Sequence, residues 1–143
     1  MSAPILNFEE KNYTDNFIKS LYNEKYHENH WTIFRLRNLN AAKIFHDVLG
    51  FKSAIDFGCS IGTYLEYFLN AGCDVRGFEY CFEECTKQIE KVENLSSSIS
   101  FGDVSKEIQL DRTYELSLST EVAEHIPEER SDFLADNLCN SSE

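Results

Sequence analysis

The sequence predicts an α/β domain with a doubly wound, mostly parallel sheet in the strand order 3-2-1-4. Three observations lead there. Helical and strand-like apolar periods alternate from about residue 32 to residue 138. The strand candidates are short apolar runs, as expected of strands covered on both faces. Turn residues punctuate the elements, at Gly50, Gly58, Gly72 and Gly102. In such sheets ligands bind at the carboxyl ends of the strands.

Residues 7–31 are rich in Tyr, Asn, Glu and His and read as a short helix or an irregular arm. From Thr32 to Leu49 the positions Ile33, Leu36, Ala41, Ile44, Phe45, Val48 and Leu49 fall near a helical period, and Gly50 stops the helix. Residues 53–57 form the first strand. A helix from Tyr64 to Ala71 follows, closed by Gly72. The second strand spans 74–79, the next helix 82–92, and a short third strand 98–101. A short helix is expected before the alternating fourth strand, 114–119. Pro127 then opens a helix that runs to about Leu138, with Glu128 and Glu129 suited to its positive end. Residues 1–49 are thus an N-terminal arm and helix, and residues 50–143 a sheet domain.

The chain has 143 residues and a formal net charge of −12. Such a surface repels phosphate backbones and anionic membranes, and the basic pair Arg35 and Arg37 is too small to reverse that. Neither nucleic acid nor membrane is an expected partner; a neutral or cationic small molecule is. No apolar run reaches the length of a membrane span, and the first residues lack the pattern of a signal peptide. The five cysteines, an odd number, argue for reduced thiols and a cytoplasmic setting. Cys81 and Cys85 share a helix face, but no second Cys/His pair has the spacing to join them as zinc ligands, so no metal site is expected.

Four segments carry the candidate chemistry. Asp56-Phe57-Gly58-Cys59-Ser60-Ile61-Gly62 joins the first strand to its helix. Gly58 permits a sharp turn and a close backbone approach, and Gly62 opens a helix with free N–H groups. Glu79 ends the second strand, where a carboxylate can accept from both hydroxyls of an adenosine ribose. Gly102-Asp103-Val104 follows the third strand, with Asp103 placed to accept from an adenine amino group or simply to form a turn. Ser119 to Pro127 follows the fourth strand, and there His125 is the candidate general base or a structural histidine.

Together these segments resemble the class I S-adenosylmethionine (SAM)-dependent methyltransferases of small-molecule type, which share a Rossmann-like fold. The family's D-x-G-C-G-x-G corresponds to Asp56–Gly62, and its E-V-L-E-H-I stretch to Glu121-Val122-Ala123-Glu124-His125-Ile126. The resemblance implies that Gly58 and Gly62 line the methionine part of SAM and that Asp56 orients the loop or reaches the amino group. Glu79 would hold the ribose and Asp103 the adenine, with backbone near Thr120 on the amino group. Cys59, Tyr80 and Val104 join this cofactor-binding set as their neighbours. Glu121 would lie near the donor end and, with His125, form the catalytic set. The acceptor would be a small molecule.

Two departures stand out. Ser60 replaces the middle glycine, at about 1 kcal/mol if the position needs positive φ. The family sheet has seven strands, and this sequence ends after the helix that follows the fourth; an open edge at strand four would allow self-association. Tyr26-His27-Glu28-Asn29-His30-Trp31 reads as an aromatic lid suited to a sulfonium, or as a surface arm anchored by Trp31. The residues leave three alternatives. One is a SAM-binding module without transfer activity. Another is a nicotinamide site, disfavoured because the third glycine of G-x-G-x-x-G is absent. The last is a metal-assisted site at Glu121, Glu124 and His125.

Overall fold

The computed structural model describes residues 15–142; expectations for residues 1–14 and Glu143 lie outside them. Strands β1 (Ser53–Phe57), β2 (Asp74–Glu79), β3 (Ile99–Phe101) and β4 (Leu116–Leu118) form one parallel sheet in the order β3-β2-β1-β4. The register pairs Phe57 with Phe78, so one step further along sets Gly58 beside Glu79. The expected α/β architecture and strand order are both present.

The helices are α1 (Asp15–Leu21), α2 (Glu24–Leu49), α3 (Thr63–Asn70), α4 (Phe82–Ile89) and α5 (Ser131–Ser141). Helix α2 corrects the sequence reading. It starts at Glu24, taking in the Tyr26–Trp31 segment, because the Asn23 side chain accepts from the Tyr26 amide at 3.0 Å and caps the first turn. Its outer face carries Ile33, Leu36, Ile44 and Val48, each more than 60% exposed. The inner face is instead built from Trp31, Arg35, Asn38, Ala42 and His46, spaced three or four apart. Arg35 donates to the buried Glu66 carboxylate of α3 at 3.0 Å. Trp31 lies under the Arg35 guanidinium, 4.4 Å from ring centroid to Cζ.

No helix forms between β3 and β4 among the described residues. The segment is held by Asn137 of α5, a buried side chain. Its Oδ1 accepts from the Ile108 amide at 2.9 Å, and its Nδ2 donates to the Lys106 carbonyl at 2.8 Å. A side chain thus takes the part that helical backbone bonds would play. Pro127 has an extended ψ of 140°, and a 3-10 turn at Glu128–Arg130 precedes α5. The end of α5 returns beside the start of β4, where the Tyr114 amide donates to the Ser141 carbonyl at 2.8 Å and Tyr114 bridges Ser142 in parallel.

Alternation along β1 divides the core. Ala54 faces α2, α3 and α4 with Leu65, Phe68, Cys85 and Ile89; Ile55 and Phe57 face α5 with Phe78, Val104 and Leu134. Full burial of side chains such as Ile55 and Phe57 stabilises the fold by roughly 1.5–3 kcal/mol each. No helix of the described residues is long and apolar enough to cross a membrane.

Two positions at the end of β1 give measurable consequences. Gly62 has φ +73°, and a Cβ there would lie 2.5 Å from Ile99 Cδ1. Gly62→Ala is expected to lower stability by roughly 2 kcal/mol through strain and overpacking, read as a lower urea midpoint with unchanged slope. Asp56 is 1% exposed, and its Oδ1 has no hydrogen-bond partner. Burial, reinforced by the Glu79 charge, raises its pKa to about 8. Between about pH 4 and 8 the unfolded chain releases a proton that the folded chain keeps, so this group makes stability fall as pH rises. Asp56→Asn removes that loss: the drop in urea midpoint between pH 6.5 and pH 8 is expected to shrink relative to the natural chain.

Candidate functional site

The carboxyl ends of all four strands open into one cavity of about 200 Å³, closed on the far side by α1 and α2. The turn after β1 contributes Gly58 and Ser60; the end of β2 contributes Glu79, Tyr80 and Cys81. Asp103, Val104 and Ser105 follow from β3, and Thr120, Glu121, Val122, His125, Ile126, Pro127 and Arg130 from β4. Helices α1 and α2 add Ile18, Tyr26, His27 and His30, and the joint between them adds Tyr22. A second hollow, about 500 Å³, lies at the opposite, amino end of β2 around Asp74, Arg76 and Arg112. Its larger volume does not make it the better candidate, because the Arg112–Asp74 ion pair at 2.6 Å joins two of its charged side chains and parallel sheets bind ligands at the other end.

Glu79 anchors the cavity. Its carboxylate accepts from the Ser60 amide at 2.7 Å and the Cys81 amide at 2.8 Å. Burial raises its pKa, and those backbone donors oppose the rise. Gly58, with φ +83°, is bound at its amide by the Phe78 carbonyl at 2.8 Å. A Cβ on Gly58 would lie 2.4 Å from Val122 Cγ2, so only glycine leaves this wall of the cavity free.

The other members of the first motif stand behind the cavity. Asp56 is buried under the turn. Cys59 belongs to the core between sheet and helices, and burial pushes its thiol pKa well up. Gly62 turns its Cα towards Ile99 and Leu95, and its amide donates to the Cys59 carbonyl at 2.8 Å. It is a packing glycine here. Ser60 has φ +50°, so the strained conformation considered for the replaced glycine is adopted.

Of the remaining predicted residues, Tyr80, Asp103, Val104, Thr120, Glu121 and His125 all border the cavity. Asp103 accepts from Ser105 Oγ at 2.6 Å and Lys106 Nζ at 2.8 Å. Burial works to raise its pKa, but these donors outweigh it and hold the carboxyl below its usual range. His125 sits in a 3-10 turn, with Tyr22 Oη 2.9 Å from its Nε2. Among the described residues no three His, Cys, Asp or Glu side chains are grouped to hold a metal ion.

Sequence reasoning missed Tyr22 and the part His27 plays. Only Tyr26 and His30 carried a local signal, spaced by four on one face of α2, whereas Tyr22 lies in the joint between α1 and α2. Tyr22 and Tyr26 meet edge to face at 5.0 Å, and Tyr26 and His30 at 5.8 Å. Burial lowers the pKa of His30 and, to about 4, that of His27, so this wall presents neutral rings. Trp31 does not reach the cavity; it packs on the core beneath Arg35.

No protein-family model and no curated protein matches the chain. Solved structures match its fold. Streptomyces venezuelae DesVI superposes with a TM-score of 0.62 at 18% identity, over 82% of this chain and 53% of that one. The glycopeptide N-methyltransferase MtfA complexed with SAM gives 0.61 at 16%, over 74% and 50%. The magnesium protoporphyrin IX methyltransferase ChlM of Synechocystis PCC 6803 with bound SAM gives 0.61 at 14%, over 94% and 75%. The chain spans about half the length of the DesVI and MtfA chains. At these identities the likeness concerns architecture: the chain has the Rossmann-like fold seen in the SAM-dependent methyltransferases.

Proposed function

We propose that the cavity binds SAM and that the chain is a SAM-dependent methyltransferase acting on a small-molecule acceptor. One observation carries the reading: Gly58 and Glu79, predicted from separate motifs, border the same cavity at the strand ends. The donor set fits the group. Glu79, whose carboxylate oxygens have about four acceptor sites, keeps capacity beyond its backbone bonds for ribose hydroxyls. Asp103 and Val104 stand at the adenine end, next to Tyr80. Thr120 and Glu121 stand at the methionine end, with Asp56 and Cys59 supporting the turn from below. The carboxylates of Glu79, Asp103 and Glu121, facing neutral aromatic rings, favour a cationic ligand.

When bound, SAM supplies an electrophilic methyl group on a sulfonium. The protein's own task is alignment and exclusion of water. Tyr22, Tyr26 and His30 cover the cavity from the helical side. His125 takes the acceptor's proton on a ring nitrogen where the acceptor must lose one, and Glu121 borders the same cavity. At about 200 Å³ the cavity is smaller than the roughly 300–1,000 Å³ of cofactor-sized pockets. Binding of SAM therefore requires the lining side chains to move apart.

A SAM-binding module without transfer activity is the second reading, since the likeness to the methyltransferases lies in the fold. Release of S-adenosylhomocysteine in the presence of an acceptor panel supports the enzyme; binding with no turnover supports the module. For the site itself, calorimetry is expected to detect SAM binding to the chain. Glu79→Ala is expected to weaken it by about tenfold or more, the loss of roughly 1.4 kcal/mol. Unchanged affinity would remove Glu79 from the ribose site.

A further inference from the structure

His27 joins three parts of the molecule. It stands in the second turn of α2 and is 1% exposed. Its Nδ1 lies 3.3 Å from Ser60 Oγ in the turn after β1, and its Nε2 lies 3.3 Å from Cys85 Sγ in α4. A neutral imidazole has one donor and one acceptor nitrogen, so it can serve Ser60 and Cys85 together.

Ser60 is held from two sides. Its amide donates to Glu79 Oε2 at 2.7 Å, and its hydroxyl meets His27. The residue occupies a left-handed conformation that a side chain ordinarily disfavours. A glycine would adopt it freely but would offer α2 nothing to grip. Both Ser60 and His27 border the cavity.

We propose that His27 is a positioning residue for the ligand turn: through the Ser60 hydroxyl it locks the left-handed bend that sets Gly58 and Glu79 around the ligand. The identity of that ligand rests on the SAM reading; the tie itself rests on the contacts. The tie makes the first turns of α2 part of the binding site without requiring that they touch the ligand.

The test is a mutant cycle on the whole chain, read by calorimetry with SAM and by thermal unfolding. Ser60→Ala keeps the strained bend and removes only the tie, and is expected to weaken SAM binding about fivefold. His27→Asn places an amide where Nδ1 stands and is expected to stay within about twofold of the natural chain. His27→Gln reaches the Nε2 side instead and is expected to lose about fivefold. Ser60→Ala combined with His27→Gln is expected to be no weaker than Ser60→Ala alone, because both remove one contact. Natural affinity in Ser60→Ala, or losses that multiply in the double variant, would overturn the proposal. If the His27 variants do not fold, Ser60→Ala decides alone. If the natural chain binds no SAM, the functional reading fails, and the tie is judged from melting temperature. Ser60→Ala should then lower it by about 3 °C in the natural background and not in His27→Gln. Equal shifts in the two backgrounds would refute the tie.

Discussion

The Glu79 carboxylate lies at the junction of two turns, withdrawn from solvent, where a charge without partners would be costly. The Ser60 and Cys81 amides meet that cost. Each donor comes from a different connection, one leaving β1 and one leaving β2, so satisfying a single side chain fixes how two loops converge. Burial still prevails over these bonds in the direction of the pKa shift. Asp56, beneath the same turn and without a partner at Oδ1, is raised to about 8 by burial and by the Glu79 charge.

The two glycines of the first motif serve opposite faces of one turn. Gly58 makes room towards Val122 at the cavity wall; Gly62 makes room towards Ile99 and Leu95 inside the core. Both have positive φ, yet only the first borders the cavity. A motif written as a string of glycines conceals this division, because spacing along the chain does not state which side of the turn each Cα presents.

Much of the architecture was legible because it rests on local rules. Gly50 ends α2 with φ +70° and an amide bonded to the His46 carbonyl, and the run Ala54–Phe57 is as buried as its composition implied. The acid closing β2 was placed correctly because strand length and turn length set its position. What failed depended on tertiary context. The apolar positions of α2 pointed to a core-facing stripe, but Arg35, Ala42 and His46 form the buried side, since the pairing of Arg35 with Glu66 and the small Ala42 let α3 approach closely. The helix expected between β3 and β4 is replaced by bonds from Asn137, 29 and 31 residues away. Tyr22 and His27 act through partners more than thirty residues distant, which no local pattern encodes.

Helix α2 is riveted along its length. Arg35 grips α3, and His27 and Glu24 grip α4 through Cys85 and Lys87. At 1.5 Å per residue, His27 sits only about 6 Å from the Asn23 cap. A helix pinned so near its tip cannot swing as a rigid arm without breaking buried bonds. The tip of α2 therefore borders the cavity as a wall fixed by the contacts that join it to the turn after β1 and to α4.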